Sequence, residues 1–302
     1  MSNTLDNTEI SKVLGQRVDA PKQYDKSILV REKRSSNRQY LNIEDDNLPF
    51  VGVDVWNNWE ISTLTNNGLP VTGIAKIVYP CDSPYIVESK SAKLYFNSFN
   101  MSKFGNNPFE AINSIERLAS LDLSTFLETN VSVKIFSATV HPYSPEASSY
   151  FNTFKCIDSI NPNLKTDVYN EDKFLLLRDS QPTVVPVSQR FTSSLLRSNC
   201  RVTGQPDAGD VYVDITSNQI IDQESLLKYF ISFRNECHFH EEICECIYTR
   251  LAEVYEPSEL MVMCLYVRRG SLDINPIRAS KHEMIPSFIK DGNNAFFKTP
   301  RQ

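Results

Sequence analysis

Leu260-Met261-Val262-Met263-Cys264-Leu265-Tyr266-Val267 is an unbroken apolar run, long enough for a strand and far too short for a membrane span. It reads as a buried strand. Before it, Ile243, Ile247, Leu251 and Val254 recur at four-residue steps or nearly so, which predicts a helix stopping before Pro257. An earlier helix is predicted from about Asp222, with Leu226, Phe230 and Phe233 on one face. Val211-Tyr212-Val213-Asp214-Ile215 in front of it reads as another strand. The first half repeats this order. After the hairpin signal Asn67-Gly68, Ile74, Lys76 and Val78 alternate with Ala75, Ile77 and Tyr79 as a mainly apolar strand. Ile112, Ile115 and Ala119 have helical spacing behind Pro108, which suits a first-turn position. A second short helix is predicted over Leu121 to Leu127, and Val131, Val133 and Ile135 alternate as a strand. The pattern implies an α+β protein with a duplicated module, its helices on one face of an antiparallel sheet. The expected division is an irregular arm over 1–45 and modules over 46–175 and 176–302. The join falls between Asn161 and Pro186.

Composition narrows the function. The 302 residues are 41% hydrophobic and 23% charged, ordinary for a globular protein. A formal charge of −6 argues against a general nucleic-acid binder, although a local basic pocket for phosphates remains open. No signal peptide or membrane span is expected, so no membrane partner is predicted. Seven cysteines without a regular framework suit a reducing cytoplasm, where thiols stay free.

The chemistry concentrates at Ser198-Asn199-Cys200-Arg201-Val202-Thr203-Gly204-Gln205-Pro206-Asp207. Gly204, Pro206 and Gly209 are turn-formers, so Cys200 sits at the lip of a tight turn with Asp207 on the far arm. Such a pair can supply a sulfur nucleophile and an acid to protonate what it attacks. It can equally be a half-buried cysteine beside an ordinary turn aspartate. Three further stretches hold candidates: Glu88-Ser89-Lys90 through Phe99, Phe239-His240-Glu241-Glu242, and Arg268-Arg269-Gly270 through Pro276. A buried Glu241 could accept two adjacent N–H groups from a ligand, or merely favour a helix start. Cys237, His238, His240, Cys244 and Cys246 crowd one segment, yet no second Cys-x-x-Cys closes a tetrahedron, so no metal is expected. His141 and His282 lie in polar stretches without nameable partners. The absence of Gly-x-Gly-x-x-Gly excludes a Rossmann dinucleotide site.

Taken in this order, these segments, with Asn47-Leu48-Pro49-Phe50 and Asp54-Val55-Trp56, resemble the longer, two-module branch of the NADPH-dependent 7-cyano-7-deazaguanine reductases, the nitrile reductases of the queuosine pathway. The resemblance runs nearly the whole chain. It implies a tunnelling fold in each half and a homodimer or higher homo-oligomer, with the active site at an interface between modules or subunits. It implies Cys200 as the nucleophile that forms a covalent thioimide with the nitrile of 7-cyano-7-deazaguanine, Asp207 as proton donor, and His240 beside the reacting group. Val87, Glu88, Ser89, His240 and Glu241 are implied for the substrate, and Ser89, Lys90, Arg269 and Gly270 for NADPH. Two hydride transfers then give the primary amine. Gly204 and Ala208 stand where the longer branch carries histidine and tryptophan, an expected loosening of the wall. Alternatives are an amidine-forming transferase of the same superfamily, which uses ammonia, and a non-catalytic purine-binding protein.

Overall fold

A computed structural model describes residues 21–137, 145–177, 181–201, 203–293 and 302. In chain order the elements are β1 (Arg31–Lys33), α1 (Arg34–Arg38), β2 (Val51–Leu64), β3 (Pro70–Pro80), β4 (Tyr85–Val87), α2 (Ser89–Asn97), α3 (Pro108–Leu127) and β5 (Ser132–Ser137). There follow α4 (Pro145–Phe151), β6 (Lys155–Cys156), β7 (Pro182–Asn199), β8 (Pro206–Gln219), α5 (Gln223–Ser232), α6 (His240–Tyr255), β9 (Glu259–Tyr266), β10 (Leu272–Ala279) and α7 (Ser287–Lys290). Eight strands make one sheet in the order β5-β3-β2-β10-β9-β8-β7-β6, and every pairing but β6–β7 is antiparallel. The two halves meet where β10 pairs with β2, from Leu272 opposite Asn58 to Ala279 opposite Val51. Among the described residues no helix is long and apolar enough to cross a membrane.

Alternation along the central strands sets the layers. Leu260, Val262, Cys264 and Tyr266 face the side covered by α5 and α6, while Met261, Met263 and Leu265 face the side of Phe288 and Ile289 in α7. In the first half Ala75, Ile77 and Tyr79 meet α2 and α3 through Tyr95, Phe96, Ile115 and Ala119. The predicted break before Leu121 is absent: α3 is one helix, capped by Asn107 accepting from the Glu110 N–H at 3.0 Å, with Pro108 at its first turn. Nothing between Pro108 and Leu127 is a helix breaker, so the two apolar patterns share one element.

The segment 21–45, expected to be an irregular arm, differs most from its reading. β1 pairs with β4, and Arg34 and Arg38 of α1 are buried. Arg38 donates to both Glu245 carboxylate oxygens at 2.9 and 2.8 Å. Arg278 donates to Glu245 at 2.8 Å and to Asp54 at 2.8 Å, and Arg34 donates to Asp54. Burial alone pushes these carboxyls up, but the guanidinium groups outweigh it and hold Asp54 and Glu245 below the usual carboxylate range. Their contribution to stability is therefore fully present above that range and lost as pH falls below it, through their lowered values. Glu245→Ala leaves buried guanidinium groups short of counter-charge, so unfolding in urea should show a loss of about 3 kcal/mol. An unchanged midpoint would show the network to be energetically idle.

Candidate active site

The turn joining β7 to β8 is closed by the Cys200 N–H donating to the Gln205 carbonyl at 2.8 Å and the Gly204 N–H donating to the Cys200 carbonyl at 3.0 Å. Gly204 has φ +63°, a conformation that L side chains rarely adopt. The turn leaves Cys200 half-buried and brings Ser198 opposite Asp207 in the ladder. Asp207 is 5% exposed, with Oδ2 facing His240 Nε2 at 3.5 Å and Oδ1 facing Arg269 Nη1 at 3.0 Å. The His240 ring lies flat on Tyr266, centroids 3.8 Å apart and planes 19° apart.

Helix α6 supplies the next groups from its first turn. Its start is fixed by the Phe239 N–H donating to the Glu242 carboxylate at 3.1 Å. Glu242 also holds Arg201, next to Cys200, at 3.1 Å, and Asn37 of α1 accepts from the same guanidinium. Glu241 is 3% exposed and its Oε1 has no hydrogen-bond partner. Burial pushes its carboxyl up to about 7, with Asp54 adding to the effect and Arg34 and His240 opposing it. His238 is drawn down by burial, yet its hydrogen bonds to Glu236 and Glu242 win and raise it to about 9.

From the first half comes Glu88, placed by the β1–β4 pair and capping α2. Its carboxylate accepts from the Lys90 and Ser91 N–H groups, both at 2.8 Å. A substrate contact at Glu88 therefore competes with, or is shaped by, a cap already made. Gly270 (φ +62°) forms the turn before β10, where a Cβ would collide with the end of Lys93.

One cavity of about 290 Å³ is lined by Cys200, Asp207, His240, Glu241, Val87, Glu88, Ser89, Lys90, Arg269 and Gly270, every residue singled out for chemistry or binding. Trp56, Lys93, Arg201, Gln205 and His238 also line it and were not singled out. Lys93 follows Lys90 by three residues on one helical face, a spacing visible in sequence; Tyr266 inside its apolar run carries no such signal. Gly204 and Ala208 are not among the lining residues, although their neighbours Thr203, Gln205 and Asp207 are. Among the described residues no group of three or more His, Cys, Asp or Glu is arranged for a metal ion. Cys244 and Cys246 are core residues of α6, His282 opens a short 3-10 turn, and His141 lies outside the described residues.

The family described as nitrile reductase, 7-cyano-7-deazaguanine-reductase N-term, matches residues 20–135, and the QueF-like protein family matches residues 206–284. A relative from Colwellia psychrerythraea named NADPH-dependent 7-cyano-7-deazaguanine reductase is 38% identical over 288 residues, covering 95% of this chain and 98% of its own. One of the same name from Burkholderia orbicola is 39% identical over 273 residues, covering 90% and 95%. A crystal structure of the archaeosine synthase QueF-Like in the apo form aligns at 17% identity with a TM-score of 0.29, covering 34% of this chain and 99% of that one. On the length and identity shared with these relatives, the chain belongs to the family of NADPH-dependent 7-cyano-7-deazaguanine reductases.

Proposed function

We propose that the chain reduces the nitrile of 7-cyano-7-deazaguanine to the primary amine of 7-aminomethyl-7-deazaguanine, consuming two NADPH, with Cys200 as nucleophile. The observation that carries the proposal is the convergence of a half-buried thiol, a buried carboxyl and an unpartnered buried carboxylate on one cavity. A nitrile carbon is an electrophile suited to sulfur. Cys200 adds through Sγ, one π bond of the nitrile breaks, and the proton leaving sulfur must reach the nitrogen. Asp207, beside His240, is placed to carry it. The Glu241 Oε1 atom, facing no donor, accepts N–H groups from the pyrimidine edge of the base, and Val87 to Ser89 bound the other side. Lys90, Lys93 and Arg269 give the cavity a cationic rim that fits the phosphates of NADPH. When bound, NADPH supplies hydride to the former nitrile carbon. Cys200 leaves as thiolate between the two reductions, and Asp207 with His240 returns protons to nitrogen.

The two halves fit tandem tunnelling-fold modules over 46–175 and 176–302, one built on β2, β3 and β5 with α2 and α3, the other on β8 to β10 with α5 and α6. The reading is tested by following NADPH absorbance with the nitrile supplied. Two NADPH consumed per amine formed is expected. An amidine formed from ammonia with no NADPH consumed would give the chain to the transferase reading instead.

Glu241→Gln should weaken nitrile binding by about ten- to hundred-fold, the value of one hydrogen bond to a charged acceptor. Because the Glu241 carboxyl is raised to about 7, the wild type should bind less tightly as pH falls through that value, when the acceptor is protonated. The variant should lose that dependence. Titration calorimetry between pH 6 and 8 checks both, and a pH-independent wild type would remove Glu241 from the substrate edge.

A further inference from the structure

Arg269 reaches from the β9–β10 turn across to the β7–β8 turn, and both its terminal nitrogens are engaged there. Nη1 stands 3.0 Å from Asp207 Oδ1, and Nη2 donates to Gln205 Oε1. A carboxylate as buried as Asp207 requires a counter-charge. The charged or titratable groups around it are His240 from α6, Arg269, Tyr266 of β9 and Cys200 in the turn. Among these, Arg269 alone is permanently cationic.

The same guanidinium is the one read above as a phosphate contact. A phosphate that took the same Nη1 and Nη2 edge would displace Asp207 and Gln205 from it. We propose that Arg269 is a positioning residue for Asp207 in the cofactor-free half of the reaction. It holds the carboxylate in place beside the Cys200 turn while the thioimide forms, and lets it go when a phosphate occupies the site. This rests on Cys200 and Asp207 acting as nucleophile and proton carrier.

The step balances without an added reagent. The Sγ–C bond forms as one π bond of C≡N breaks, and the sulfur proton passes to Asp207 and from it to nitrogen. The later reductions each need a proton delivered to nitrogen. A single arginine thus positions Asp207 before the cofactor arrives and meets its phosphate afterwards.

The test uses the full chain with saturating nitrile and no NADPH, quenched at intervals and read as intact mass. Arg269→Gln should lower the maximal rate of adduct formation at least about tenfold, the loss of one charge-assisted contact. The nitrile concentration for half-maximal rate should not change, and Arg269→Lys should retain most of the rate. A residue that only binds cofactor would leave this step untouched. NADP⁺, which carries no hydride, should slow adduct formation in the wild type and leave Arg269→Gln unmoved. The wild-type arm stands even if a variant folds poorly. An Arg269→Gln rate equal to wild type, or a wild type indifferent to NADP⁺, overturns the inference while leaving the nucleophile in place. No adduct on wild-type Cys200 would instead defeat the underlying reading, and this inference with it.

Discussion

Cys200→Ala should show no reduction above background while still binding the nitrile within a few-fold of wild type. The nucleophile is lost, but Glu241, Val87 and Ser89 are untouched and the turn keeps its two backbone hydrogen bonds. Removing a nucleophile that makes a covalent intermediate costs on the order of 10⁶-fold in turnover, because no neighbouring group can replace the bond it forms. Three of the other thiols are poorly placed to substitute. Cys244, Cys246 and Cys264 are buried in the core, and burial pushes the Cys246 thiol up to about 12. NADPH consumption and calorimetric binding, measured side by side, separate the two effects. Residual turnover within a hundred-fold of wild type would remove Cys200 from the chemistry.

The second large effect is expected at Asp207. Asp207→Asn preserves the shape of the side chain opposite Ser198 but cannot carry a proton from sulfur to nitrogen. Acid–base groups contribute about 10²–10⁴-fold, and the loss should appear in formation of the Cys200 adduct, before any hydride is involved. Binding of the nitrile should be nearly unchanged, since Asp207 faces His240 and Arg269 rather than Glu241. Stopped-flow or quenched mass analysis of adduct formation decides it. An Asn variant that forms the adduct at the wild-type rate would assign the first proton transfer to another group, with His240 the next candidate.

How far the sequence carries depends on the range of each interaction. The strands and helices of both halves were legible because their burial is written as local periodicity: Leu260 to Tyr266 alternates between two covered faces, and Leu226 and Phe230 share one. The continuity of α3 was missed because two apolar patterns were read separately where no breaker lies between them. The arm was misread for a different reason. Arg34 and Arg38 look like solvated charge in a polar stretch, and the carboxylates that bury them, Asp54 and Glu245, lie in elements that only the folded chain brings near. No local pattern announces a pair 207 residues apart. At the site, the family resemblance together with the turn chemistry marked Cys200, Asp207 and Glu241, whereas Tyr266 under His240 depends on the register of β8 against β9.

The central claim is that sulfur of Cys200 bonds to the nitrile carbon, and it can be read with no turnover at all. Wild-type protein is mixed with 7-cyano-7-deazaguanine in the absence of NADPH, its intact mass is measured, and the modified peptide is mapped. A single added mass equal to that of the nitrile base, located on Cys200 and absent from Cys200→Ala, is the result predicted here. Exposed Cys156 serves as the internal control for indiscriminate thiol addition. An adduct on Cys156 or any other cysteine, or no adduct under conditions where NADPH-dependent turnover proceeds, would contradict the mechanism.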